Sequence, residues 1–155
     1  MNKKIKYIYL GIFIILLVGL GFFRDFLFVN INYYLQELYY KNGGDYNLPP
    51  SLKFINHFSY IQLYYGKWIL TGLFSSAYFI ISLKCIQILF KEKKYLQWTL
   101  FAYLFVGFTA SLFYLYGLLF NDIAIGYRFS RIMMGLVQSP FVLMILIPAF
   151  QLEKK

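Results

Sequence analysis

The stretch Ile5–Phe23 reads IKYIYLGIFIILLVGLGFF, and the fold class turns on it. Lys6 is its only charge, and Lys3 and Lys4 stand just before it. At 1.5 Å per residue, about 20 apolar residues carry a helix across a hydrocarbon layer ~30 Å thick. Three further runs of this kind follow: Trp68–Phe90, interrupted by Lys84 and Gln87, then Gln97–Phe120 and Ile132–Phe150. Lys84 is close enough to the basic end of its run for the ammonium to reach the headgroups. In lipid a helix satisfies its backbone hydrogen bonds within one segment, so each run predicts a helix and not an open strand. The expected class is all-α: one integral membrane domain over residues 1–155, with about four transmembrane helices at about 5–23, 68–90, 97–120 and 132–150.

A basic start and an apolar middle also describe a signal peptide. Cleavage requires small residues near the end of the run, and the first alanine of the chain is Ala77. An uncleaved first helix is therefore expected.

Composition agrees with a lipid solvent. The chain is 61% hydrophobic and 14% charged, whereas soluble domains hold about 45–50% apolar and roughly 25% charged residues. A soluble domain this small leaves too much of its surface in water to hide so many apolar groups. The net charge of +9 does not point to nucleic acid, because the charges cluster at the ends of apolar runs and form no long basic stripe. Membrane lipid is the expected neighbour.

The lysines and arginines predict orientation. With the N-terminus cytoplasmic, the inner segments hold Lys3, Lys4, Lys6, Lys84, Lys91, Lys93, Lys94, Lys154 and Lys155 against Glu92 and Glu153. The outer segments hold Arg24, Lys41, Lys53, Lys67, Arg128 and Arg131 against Asp25, Glu37, Asp45 and Asp122. The balance is +7 inside and +2 outside. Both termini are then cytoplasmic, and a bacterial inner membrane is the expected location.

Residues 24–67 form the expected external segment. Leu27, Ile31, Tyr34, Leu35 and Leu38 share one helical face, and Asn30, Tyr33, Gln36, Glu37 and Tyr40 occupy the other. This predicts an amphipathic helix lying at the outer interface. Lys41–Asp45 reads as a turn, Pro49 and Pro50 as a stop, and Ser51 as the cap of a helix running on into the second span.

Few residues carry chemistry. Cys85 is the only cysteine and His57 the only histidine. The topology above puts them near opposite faces of the membrane, too far apart for a thiolate–imidazole pair. No ligand spacing for a metal appears, nor paired carboxylates, nor a glycine-rich phosphate loop. No cofactor is expected.

One cluster stands out. Arg24 and Asp25 end the first run, Asp122 follows the third, and Arg128 and Arg131 precede the fourth. In a four-helix bundle these ends share a side. Arg131, Gly135 and Gln138 are spaced i, i+4, i+7, so a polar stripe enters the membrane below the arginine, and Pro140 then offers a bend. Three readings stay open: ion pairs that pin helix ends, a phosphate-bearing ligand or headgroup on the guanidiniums, and contact with a partner membrane protein. The small patches Ser75-Ser76-Ala77 and Gly107…Ser111 fit close helix packing, internal or with a partner.

Tyr127-Arg128, Arg131, Gln138-Ser139-Pro140 and Ile147-Pro148-Ala149-Phe150 resemble the C-terminal pattern of small exosortase-associated membrane proteins of Bacteroidetes, of the XrtF- or XrtX-associated type. Phe23-Arg24-Asp25-Phe26 and Asn30-Ile31-Asn32 are similar to short multi-spanning proteins of that kind. The chain departs in having Gln-Ser-Pro for Gln-Pro and arginines three apart in place of adjacent ones. The resemblance implies a non-enzymatic accessory or scaffold beside an exosortase, a membrane-embedded cysteine enzyme that processes C-terminal sorting tails of exported proteins. The alternative is a small transport or lipid-handling protein that holds an anionic headgroup through the external arginines.

Overall fold

The computed structural model describes residues 3–40 and 48–154, with side chains from residue 7 onward. Its elements are α1 (Lys3–Tyr40), a short 3-10 helix (Pro50–His57), α2 (Tyr60–Phe90), α3 (Lys93–Leu119), α4 (Ile123–Val137) and α5 (Phe141–Glu153). Among the described residues there is no strand, and the chain is all-α as expected. The helices α1, α2 and α3 are each long and apolar enough to cross a membrane, and α4 with α5 make a fourth span when the bent pair is taken as one. The protein is a multi-pass helical membrane protein.

The helices outrun the apolar runs that predict them. α1 has 38 residues, a length of about 57 Å. Arg24 and Asp25 end the hydrophobicity but not the helix, because no glycine or proline lies between Gly21 and Gly43. α2 likewise begins at Tyr60, eight residues before Trp68. Residues 24–40 and 60–67 of the expected external segment therefore belong to α1 and α2. The turn read at Lys41–Asp45 lies outside the described residues.

Ser51 does not cap a helix leading into α2. Pro50 occupies the first turn of the 3-10 helix, where its missing N–H costs nothing. The cap of α2 is Ser59. Its backbone N–H donates to Gln62 Oε1 at 2.9 Å, and the Gln62 N–H donates to Ser59 Oγ at 3.5 Å. This reciprocal pair is a capping box, which satisfies two otherwise orphaned donors.

The chain forms two compact units: Leu20–Phe74, and the described residues through Gly19 together with those from Ser75 onward. In the first, here the hairpin unit, α1 and α2 run antiparallel. Phe23 meets Phe74 at 6.1 Å between ring centroids and Tyr39 meets Tyr60 at 6.0 Å. Ile31, Leu35, Leu48, Leu52, Ile55 and Leu63 make its core, with Leu27, Tyr34, Leu38 and Leu70 packed against it. The predicted apolar face of residues 27–38 is thus one packing face. Protein covers it, from the 3-10 helix and from α2, in place of a lipid interface. Burying each large apolar side chain stabilises by about 1.5–3 kcal/mol, which holds the 3-10 helix onto the hairpin.

In the second, the bundle unit, two tight reversals set the topology. Lys91 has φ 58° and stops α2, its N–H bonded to Gln87 O at 3.2 Å. Asn121 has φ 55° and stops α3; asparagine tolerates that left-handed conformation better than most residues. Asp122 then caps α4, Oδ1 accepting from the Ile125 N–H at 3.2 Å. Beyond this turn α3 and α4 touch through glycine. A Cβ on Gly126 would stand 2.5 Å from Gly117 Cα and 2.7 Å from Phe113 O. Only paired glycines let two backbones approach so closely.

α4 breaks at Gln138-Ser139-Pro140, and α5 leaves at 56° to it. Proline lacks the N–H that would continue the ladder, so the bend expected at Pro140 is there, sharpened into an interruption. At the far end Lys94 Nζ meets Glu153 Oε1 at 3.0 Å. Nearby, Phe150 packs on Phe90 and Tyr95 at 5.6 and 4.8 Å. The bent pair therefore begins beside the end of α3 and finishes beside its start. Its two ends thus match the two ends of α3, as one broken span would place them.

A buried polar seam runs through this unit. Tyr78 OH donates to Leu17 O at 3.0 Å, Ser82 Oγ and Tyr103 OH share a hydrogen bond of 2.8 Å, and Gln138 Nε2 donates to Ser75 Oγ at 3.1 Å. In lipid such groups cannot fall back on water, so each pair fixes helix rotation as well as position. Outside, α3 shows Phe101, Leu104, Phe105, Phe108, Leu112 and Leu115 to its surroundings, a surface for hydrocarbon.

Candidate functional site

The residues of the predicted charge cluster fall in both units, and each unit shows local arrangements of its own. In the hairpin unit Arg24 Nη1 donates to Asp25 Oδ1 at 2.9 Å, and the guanidinium lies 5.6 Å from the Phe28 ring centroid. In the bundle unit Asp122 is engaged as the α4 cap, where a carboxylate also meets the positive end of the helix dipole. Gln138 ends α4, buried, on Ser75. Gly135, between Arg131 and Gln138, has open space where a side chain would go.

Arg128 and Arg131 differ from the rest. Both are exposed on α4, three residues apart and so on one face. Neither has a carboxylate of its own unit within 4.0 Å among the described residues: Asp122 caps α4, and Glu92 and Glu153 meet Lys94 at 3.7 and 3.0 Å. Their depth follows from packing. Phe129 stacks on Phe113 at 5.4 Å, and Phe113 is six residues inside the end of α3, ~9 Å along its axis. α3 is ~40 Å long against ~30 Å of hydrocarbon, so a bilayer boundary is expected near this end of α3, close to the two guanidiniums. There an unpaired cation is costly and an anionic group is a strong partner.

Of the small-residue patches, Ser75 serves the bundle internally through Gln138. Gly107 has nothing within 4 Å of its Cβ position, and Ser111 Oγ donates to Gly107 O at 3.1 Å on an exposed face. The close contact is instead at Gly117 and Gly126, which sequence spacing alone does not connect because they lie on different helices.

Elsewhere, Cys85 is fully buried in the bundle unit, a small packing side chain. His57 is exposed at the end of the 3-10 helix in the hairpin unit. Among the described residues no three His, Cys, Asp or Glu side chains stand close enough to hold a metal ion.

The hairpin unit also carries a wide-mouthed recess of about 300 Å³. α1 lines it with Asn32, Leu35, Gln36, Tyr39 and Tyr40, and α2 with Tyr60, Tyr64 and Lys67. Lys67 Nζ donates to Asn32 Oδ1 across the two helices. Tyr60 and Tyr64 are near-parallel at 19°, their centroids 6.3 Å apart. The sequence did hold a signal: Asn32, Gln36 and Tyr39 are spaced i, i+4, i+7, and so are Tyr60, Tyr64 and Lys67. Sixteen tyrosines spread along the chain hide it among neutral repeats of the same residue.

No protein-family model, curated protein or solved structure matches this chain.

Proposed function

We propose that this chain is a non-enzymatic membrane partner of an exosortase-type sorting enzyme, which it grips through Arg128 and Arg131. The observation that supports the reading is the pair of exposed guanidiniums three residues apart on α4, with no carboxylate of their own unit within 4.0 Å among the described residues. They lie on the stretch whose residues resemble exosortase-associated proteins. The Gln-Ser-Pro element of that resemblance falls at the break between α4 and α5, which lends it a structural purpose: it sets the angle at which α4 presents its arginines. A bacterial inner membrane with both termini cytoplasmic is part of the same proposal, supported by the lysine distribution.

The test is a deletion strain of the source organism. Exported proteins in that strain should keep their C-terminal sorting tails. The wild-type gene should restore cleavage, Arg131→Ala should fail at normal protein abundance, and Arg131→Lys should restore it only in part, because a point charge does not reproduce the bidentate fork. Normal tail processing in the deletion strain, or a genome with no exosortase, refutes the proposal. The same two arginines also suit a lipid phosphate. A headgroup-binding protein would leave tail processing intact, so the deletion strain separates the two readings.

A further inference from the structure

We propose that the recess of the hairpin unit is a sugar-binding site. Its size, about 300 Å³, is at the lower end of ligand cavities and suits a ligand of one or two sugar rings. Its walls combine two kinds of group. Tyr39, Tyr60 and Tyr64 bring aromatic rings to the lining, and the negative quadrupole of a ring face attracts polarised C–H groups. Gln36 brings a donor and an acceptor, and Asn32, whose Oδ1 already accepts from Lys67, brings its amide donors, the complement of neighbouring hydroxyls. Among the described residues Lys67 lines the recess and no carboxylate does, so this part of the wall is neutral to positive and disfavours a cation. A ligand with flat C–H faces, many hydroxyls and neutral or negative charge is a carbohydrate, and an acidic sugar suits the lysine best.

An aromatic belt at the bilayer surface does not account for this arrangement. Belt residues sit at one level around a helix. Here Tyr60 and Tyr64 are a turn apart on one face, and Tyr39 of the opposing helix converges on them at 6.0 Å. The position does bear on the source of the sugar. Trp68 follows Lys67 directly and opens the apolar run of α2, so the recess begins at the headgroup level and extends ~12 Å beyond it. A sugar reaches it either on a lipid or free in solution. The recess is independent of the exosortase partnership, which involves the other unit.

The experiment uses the full chain in lauryldimethylamine oxide micelles, whose headgroup carries no sugar, with maltose and glucuronate as probes. Saturation-transfer NMR should show transfer to the ring C–H protons of the sugar, stronger for glucuronate. Tyr60→Ala and Tyr64→Ala should weaken binding roughly tenfold or more, whereas Tyr64→Phe, which keeps the ring, should hold it. Tyr7→Ala, exposed in the other unit, should change nothing. Circular dichroism keeps the test valid: if an alanine variant loses helix, Gln36→Ala at an exposed position replaces it, with weaker binding expected. In a second arm the chain sits in nanodiscs with and without glucosyl diacylglycerol. Competition from the glycolipid upholds the site and makes the sugar lipid-borne, and undiminished transfer upholds it with a free glycan. The proposal is overturned by no transfer to either sugar, by equal transfer in wild type and both alanine variants, or by transfer to an oligoproline peptide in place of the sugars.

Discussion

Gly126→Ala should separate α3 from α4. The added methyl would lie 2.5 Å from Gly117 Cα and 2.7 Å from Phe113 O, against 3.4 Å for an ordinary contact. Both obstacles are backbone, so no side chain can swing aside, and the helices must part by about 0.9 Å at this crossing. Overpacking of this kind costs about 1–3 kcal/mol. Alanine returns about 0.5–1 kcal/mol through its better helix propensity. The net loss is then about 0–2.5 kcal/mol with a midpoint near 1, a fall in Tm of roughly 2–4 °C at that midpoint for a chain of this size. Thermal unfolding followed by far-ultraviolet circular dichroism in detergent reads it. Gly135→Ala on the same helix is the control, since nothing lies within 4 Å of its Cβ position, and its Tm should stay level or rise. Equal melting of the two variants would refute the close crossing.

Loss of the α2 capping box through Ser59→Ala should cost about 1 kcal/mol, and adding Gln62→Ala should cost little more, because the two side chains act as one cap; a double-mutant cycle of melting temperatures checks this. Gln138→Ala removes a buried hydrogen bond to Ser75 and should cost about 1–3 kcal/mol. Hydrogen exchange should quicken at the α4–α5 break in that variant and stay unchanged at the capped start of α2.

Hydrophobic runs made the membrane class legible, because about 20 apolar residues in a row match the thickness of a bilayer and exceed what a small soluble core can cover. They did not reveal where helices end. Apolar character reports what surrounds a helix, whereas ends are set by backbone chemistry. Arg24 and Asp25 change the surroundings of α1 without removing a hydrogen bond, so α1 continues to Tyr40. Ser59 and Gln62 lie in a mixed stretch ahead of the second apolar run, yet they start α2. The bend near Pro140 was legible because proline acts on the backbone directly.

The candidate sites were legible only in part. Arg128 and Arg131 could be assigned to one face from spacing alone, but the role of Asp122 could not. A carboxylate just before a helix serves as its cap as readily as an arginine's partner, and here it bonds Ile125 N–H. The pairing of Gly117 with Gly126 and the meeting of two tyrosine stripes both depend on which helices become neighbours, and a single sequence carries that information weakly.

Four crossings return the chain to the side on which α3 begins, the last of them through the broken pair α4–α5. Single cysteines at Lys53, Glu92 and Lys154, probed in intact spheroplasts with a membrane-impermeant maleimide, decide whether they do. Cys85 is fully buried and should stay silent. Lys53→Cys should label in intact cells, and Glu92→Cys and Lys154→Cys only after permeabilisation. Labelling of Lys154→Cys together with Lys53→Cys in intact cells, with Glu92→Cys silent, would contradict the fourth crossing, since α4 and α5 would then not traverse the membrane.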